Sequence, residues 1–197
     1  MKHLEKIQTL LPLGYLYLIL LGLLNESLTY YPLGINILNY SSITDILIRP
    51  ISEMFDYPIL IIIIFSLFFL LFIIQNILVN YKHKSWVQKI LGRERFDYNV
   101  DKKEIQKIIL PFFLTMLAIM LLSFFVGLGL GGGLKISKRI KNNTFTCNYK
   151  ITFADGKAEE VFMFDNNSSY YFYVTKQNTN IRIAPVGTIF TLEKIKK

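Results

Sequence analysis

Apolar residues run almost unbroken through three stretches of this chain and then give way, near its end, to strict alternation. The clearest stretch covers residues 58–79, where Ser66 is the single polar side chain between Ile59 and Ile74. Residues 108–134 hold Thr115 and Ser123 but no charge. Residues 10–33 are uninterrupted from Leu10 to Leu24, after which Asn25 and Glu26 intervene before Leu28, Tyr30 and Tyr31. A bilayer core about 30 Å thick needs about 20 mostly apolar residues to cross it as a helix, so each stretch predicts a transmembrane helix. The basic front and apolar middle of the first also suit a secretory signal peptide. Its length and the lack of a small-x-small cleavage site favour a retained helix.

A fourth span between Leu33 and Ile51 would have to carry Asn36, Asn39, Asp45 and Arg49. A central Asp or Arg costs about 2.5–3.5 kcal/mol on insertion scales, so a helix lying on the surface over residues 42–55 is the better reading. Ser42 followed by Asp45 has capping-box character. Ile43, Ile46 and Leu47 share a face that continues in Ile51, Met54 and Phe55 after a break at Pro50. A second interfacial helix is expected over residues 83–91, where Trp86, Val87, Ile90 and Leu91 form a short stripe flanked by Lys84 and Lys89.

Beyond Leu134 the period changes. A basic linker over residues 135–143 leads to a region in which Phe145, Cys147, Tyr149, Ile151 and Phe153 occupy alternate positions, the mark of a strand with one buried face. Asp155-Gly156 is a tight-turn signal, and further strands follow over residues 159–164, 169–175, 180–184 and 188–195. The fold class expected is therefore an α-helical membrane protein, residues 1–134 with three transmembrane helices, carrying a small C-terminal all-β domain over residues 144–197. Five short strands suggest a curled sheet of SH3- or Sm-like form, an analogy of fold that implies no function. Tyr170 to Tyr173 put aromatic rings on both faces of one strand; the outward ones could form a contact surface, but burial against a neighbour is the favoured expectation.

Composition agrees with the membrane reading: 52% of the 197 residues are hydrophobic and 18% are charged, against roughly 25% charged in a soluble domain. One cysteine, Cys147, excludes an internal disulfide and a thiolate metal cluster. Charge sets the topology through Lys and Arg in short loops. Lys2 and Lys6 precede the first span, and the loop after it holds only Arg49 against Asp45, Glu53 and Asp56. The second loop carries Lys82, Lys84, Lys89, Arg93, Arg95, Lys102, Lys103 and Lys107. This places the N-terminus in the cytoplasm of a multi-pass protein of the inner (plasma) membrane, and the tail outside. Lys135, Lys138, Arg139 and Lys141 directly after the third span argue the other way, so the side of the tail stays open. The basic loop is expected at lipid headgroups, with Lys82, Lys84, Lys89, Arg93 and Arg95 as its surface cations. Nucleic acid is not the expected partner, because such a loop is basic for topological reasons alone.

Few residues carry chemistry. Asn25 and Glu26 are polar groups inside a span, where an ionisable residue is a functional candidate by default. A position near the watery outer interface is the blander account of them. Gln75 and Asn76, near the inner end of the second span, could bond to another helix. Ser123, Gly127 and Gly131 are spaced by four, as are Gly129 and Gly133, a pattern that lets helix backbones approach closely. These five are the candidates for helix packing or a pore lining, and the run Gly131–Gly133 could equally be a flexible exit from the bilayer. His3 and His83 stand apart among lysines, and no nucleophile–base–acid set, phosphate loop, dinucleotide fingerprint or spaced metal ligands occur. No catalytic residue, metal or cofactor is expected, and an enzyme is not. The sequons at Asn142 and Asn167 are discounted, since the Ile-, Lys- and Asn-rich usage fits a low-GC bacterium.

From Leu11-Pro12-Leu13-Gly14-Tyr15 through Tyr40-Ser41-Ser42-Ile43 to the β tail, the plan resembles small multi-span bacterial membrane proteins of unassigned function. These include transmembrane accessory proteins of antiviral defence loci such as type VI-B CRISPR. The resemblance lies in architecture and carries no site residues. It implies a non-enzymatic accessory regulator or sensor, anchored in the lipid bilayer, with a protein partner bound through the β domain or the basic loop. The alternative is a small oligomeric channel or pore with the third span facing its axis. A homo-oligomer is expected in either case.

Overall fold

A computed structural model describes residues 2–81, 84, 87, 89 and 102–195. The chain divides into two compact units, one of Met1–Ile51 with Phe124–Lys197, the other Ser52–Ser123. Four long helices are described: α1 (Lys2–Tyr30), α2 (Ile43–Asp56), α3 (Pro58–Asn80) and α4 (Lys102–Lys141). Three helical stretches are long and apolar enough to cross a membrane, Leu11–Leu33, Pro58–Asn80 and Ile109–Lys141. They match the three spans expected. At 14 residues, α2 is too short to be a fourth at 1.5 Å per residue.

In the first unit, α1 and the C-terminal part of α4 pack side by side and run in the same direction. Going up the seam, Asn25 Nδ2 donates to the Phe125 carbonyl at 3.2 Å, a Cβ added to Gly129 would lie 2.6 Å from the Asn25 carbonyl oxygen, and one at Gly133 would strike the Thr29 carbonyl. Ser137 Oγ then donates to the Pro32 carbonyl at 3.0 Å. Every fourth residue of α4 from Phe125 to Ser137 is thus buried. Three of the four are Gly or Ser, because α1 presents backbone there rather than side chains. Such close approach permits Cα–H···O contacts of about 0.5–1 kcal/mol each.

This seam explains two departures from expectation. Gly131–Gly133 do not loosen the chain, and residues 135–141 are helix rather than linker, since the packing of Gly129, Gly133 and Ser137 carries α4 through to Lys141. The helix then stops in a Schellman arrangement: Asn143 takes a left-handed φ of 52°, and the Thr144 and Asn143 amides donate to the Arg139 and Ile140 carbonyls.

The α2 helix starts on the predicted box, with the Ser42 amide bonded to Asp45 Oδ2 and the Asp45 amide to Ser42 Oγ. Pro50 does not break it, contrary to expectation. Proline removes the donor for the Ile46 carbonyl four residues earlier, and that carbonyl lies against α1 where Gly22 has no Cβ to obstruct it. Ile46 is buried while Ile43, Ile48 and Ile51 stay exposed.

The tail is a five-stranded antiparallel sheet in the order β4-β3-β2-β1-β5, built from β1 (Tyr149–Phe153), β2 (Ala158–Asn166), β3 (Tyr170–Thr175), β4 (Arg182–Pro185) and β5 (Ile189–Lys194). Asp155-Gly156 makes the first turn, Gly156 at φ 81°. The first strand starts later than its alternation suggested. Phe145 turns away to stack on Phe162 with centroids 5.3 Å apart, and the Asn148 side chain bonds both backbone groups of Met163. One face of the sheet gathers Ile151, Val161, Met163, Tyr173 and Ala184. On the other face, Phe162 and Val174 pack with Ile140 and Phe145, and Phe172 packs with Tyr30 and Ile37. Both faces of the aromatic strand are therefore covered, within the domain on one side and by the helix ends on the other.

The second unit holds α3 and the N-terminal part of α4, joined by a ring contact between Phe68 and Phe113 at 5.5 Å. Val87 is buried. Most of the expected helix over residues 83–91 lies outside the described residues.

Candidate functional site

Among the described residues, an extended polar arrangement sits where the β domain meets α1 and α2. Its centre is Asp165. Strand alternation from Met163 would send this carboxylate to the sheet face away from the helices. A bulge between Met163 and Asp165 shifts the register so that Asp165 pairs with Phe172 instead, and it emerges on the side of Tyr30. There Tyr30 Oη donates to Asp165 Oδ2 at 3.0 Å, while Arg49 of α2 donates from both terminal nitrogens, one to each oxygen, at 3.1 Å. The Arg49 and Asp165 side chains are only 23% and 15% exposed, so the paired fork is partly shielded from water.

Around this centre the contacts continue. Ser41 Oγ donates to Glu26 at 2.8 Å, tying the loop before α2 to the body of α1. Ser168, in the turn after β2, donates its amide and hydroxyl to Asp45 at 3.2 and 2.9 Å, and Asn167 donates to the Tyr40 carbonyl. Burial alone would raise the Asp45 carboxyl, but the hydroxyl and amide of Ser42, and then those of Ser168, outweigh it and hold the carboxyl below its usual value. The apolar half of the joint is aromatic. Tyr30 meets Phe172 edge-on at 5.0 Å, and Tyr40 meets Tyr170 at 5.4 Å and Phe172 at 6.2 Å. Together these groups fix the β2–β3 hairpin to the C-terminal end of α1 and to α2.

Of the candidate residues, Asn25, Gly129 and Gly133 come together in the α1–α4 seam, and Glu26 lies beside the joint at 4% exposure, not in the water expected around it. Ser123, Gly127 and Gly131 lie on the exposed side of α4, with nothing near enough to touch a Cβ at either glycine. Gln75 is buried and Asn76 half-buried in the second unit. Lys84 is exposed, its ammonium 5.2 Å from the centre of the Tyr81 ring, and Lys89 is exposed as well. Lys82, Arg93 and Arg95 lie outside the described residues. Among the described residues no group of three or more His, Cys, Asp or Glu could hold a metal ion. Burial pushes the Cys147 thiol up, away from the reactive thiolate.

Tyr30, Arg49 and Asp165 were not singled out by their spacing, being far apart in sequence. Arg49 offered the one available signal, as the sole Lys or Arg in an otherwise acidic first loop. Comparison with known proteins adds no relative to this geometry: no family model matches the chain, nor does any curated protein or solved structure.

Proposed function

We propose that the chain is a non-enzymatic accessory regulator of the bacterial inner membrane, in which the β domain receives a partner and passes the event to the first and third spans. The observation that carries this reading is the Tyr30–Asp165–Arg49 joint. A tail meant only as a tethered binding module needs no partly shielded, bidentate bond to α2 beside a tyrosine bond to α1, whereas a tail that must move these helices does. Its place in antiviral defence rests on the architectural resemblance alone. We also read the sheet as an SH3- or Sm-like module, supported by the return of β5 beside β1. The cytoplasmic N-terminus and outer tail follow the charge of the second loop, and a reporter active only in the cytoplasm should stay silent when fused after Lys197.

The test compares the intact chain with an Arg49→Ala, Asp165→Ala pair in cells carrying the surrounding genes. Protection against phage should fall with the pair while the amount of chain in the membrane is unchanged. Undiminished protection would refute coupling through the joint. A pore is the second reading, favoured by the open Gly127 and Gly131 face of α4, which leaves room for another copy. Depolarisation seen with a membrane-potential dye during phage challenge would replace the regulator with the pore.

A further inference from the structure

The second unit contains a feature that the regulatory reading does not use. Between α3 and α4 lies an open groove of about 500 Å³, walled by Leu67, Leu71 and Leu78 on one side and Ile109, Phe113 and Met120 on the other. Every residue lining it is apolar. In a chain whose α3 and α4 cross the bilayer, such a groove opens to lipid.

Its length limits what can fill it. Leu67 to Leu78, and likewise Ile109 to Met120, rise about 16 Å at 1.5 Å per residue, about half of a hydrocarbon core about 30 Å thick. A helix from a second copy, a rod about 10 Å across, would bring the same net-basic second loop to this end of the groove. An acyl chain reaches the midplane from one leaflet and no further. Both walls lead into the second loop, α3 ending at Asn80 and α4 beginning at Lys102, so the mouth lies at the membrane face that carries this loop. Between Tyr81 and Ile108 the sequence has eight Lys and Arg against four Asp and Glu. Lys84 and Lys107, close to the two walls in sequence, are both exposed, and no acidic partner pairs with either among the described residues.

From the half-membrane length, the apolar walls and the cations at the mouth, we propose that this groove binds one acyl chain of an anionic phospholipid from the leaflet beside the second loop, with Lys84 and Lys107 meeting its phosphate. The site needs only that α3 and α4 span the bilayer. It is independent of the regulator reading and of which side the tail occupies.

The experiment uses the full chain in phosphatidylcholine vesicles. Trp86→Phe removes the single native tryptophan, and Phe112→Trp places a probe on the groove, where Phe112 is 67% exposed. A small fraction of the lipid is then replaced by phosphatidylglycerol brominated on its acyl chains, or by equally brominated phosphatidylcholine. A cation near an anionic headgroup is worth about a fivefold preference, so two should favour phosphatidylglycerol about 25-fold, read as saturable quenching in excess of the phosphatidylcholine control. Lys84→Gln with Lys107→Gln should bring the two lipids level. Filling the groove with Leu71→Phe and Leu117→Phe should remove phosphatidylglycerol that survives detergent purification, as weighed by native mass spectrometry. Equal quenching by both lipids in the chain with its lysines intact overturns the proposal. An excess that persists in the double Gln variant overturns the assignment of the headgroup to these lysines.

Discussion

Two pairs of glycines on one helix should respond in opposite ways to the same added methyl group. In Gly129→Ala the new Cβ would stand 2.6 Å from the Asn25 carbonyl oxygen and 3.1 Å from the Leu28 Cβ. Neither neighbour is the free end of a flexible side chain, so α1 and α4 must part by about 0.5–1 Å to restore ordinary contact. Gly133→Ala meets the Thr29 carbonyl in the same way. Overpacking of this kind costs about 1–3 kcal/mol, and separation also weakens the Asn25 and Ser137 bonds across the seam. Gly127→Ala and Gly131→Ala put the same atom where nothing lies within 4 Å. There the greater helix propensity of alanine, worth about 1 kcal/mol, makes the change neutral or stabilising. Thermal unfolding in detergent, followed by circular dichroism, should therefore show Tm falling by about 2–10 °C for the first pair and holding or rising for the second. If all four variants lose stability alike, or the first pair loses none, the α1–α4 seam is wrong.

Asp165→Asn keeps the shape of the side chain but removes the charge that holds Arg49, and loss of charged hydrogen bonds of this kind should cost about 1.5–3 kcal/mol. Hydrogen exchange should show faster exchange of the β2–β3 hairpin amides, and Tyr30→Phe should do the same more weakly. Phe172→Ala empties the centre of the aromatic joint and should cost about 3–5 kcal/mol, measured as a lower Tm and earlier proteolysis of the tail. Because Asp45 is held below its usual value of 3.8, its bonds to Ser42 and Ser168 stabilise the fold fully above that pH, and the gain is lost as pH falls through the lower folded value. Unfolding across this acid range should show the slope flatten in Asp45→Asn, and an unchanged slope would refute the pairing.

The three long apolar helices, the capped start of α2 and the hairpin at Asp155-Gly156 were legible in the sequence because each is set by local chemistry. A run of apolar residues as long as a membrane is thick has one stable form, Ser42 and Asp45 cap each other within one turn, and glycine accepts the φ that a tight turn requires. The small residues of α4 were legible only as a pattern. Spacing by four marks Gly127 and Gly131 as strongly as Gly129 and Gly133, yet only the second pair meets a backbone, because the choice of face belongs to the partner helix. Pro50 misled for a related reason: its cost to a helix is a freed carbonyl, and whether a neighbour can receive that carbonyl depends on Gly22, 28 positions away.

The sequence by itself determined which helices are long and apolar enough to cross a membrane and where the β domain begins, since both depend on composition over short windows. The tertiary structure alone decided the joint. Tyr30, Arg49 and Asp165 come from three segments with no common motif, and Asp165 faces the helices because one extra residue in β2 reverses its side of the sheet. A bulge is a property of two paired strands and is written in neither strand alone.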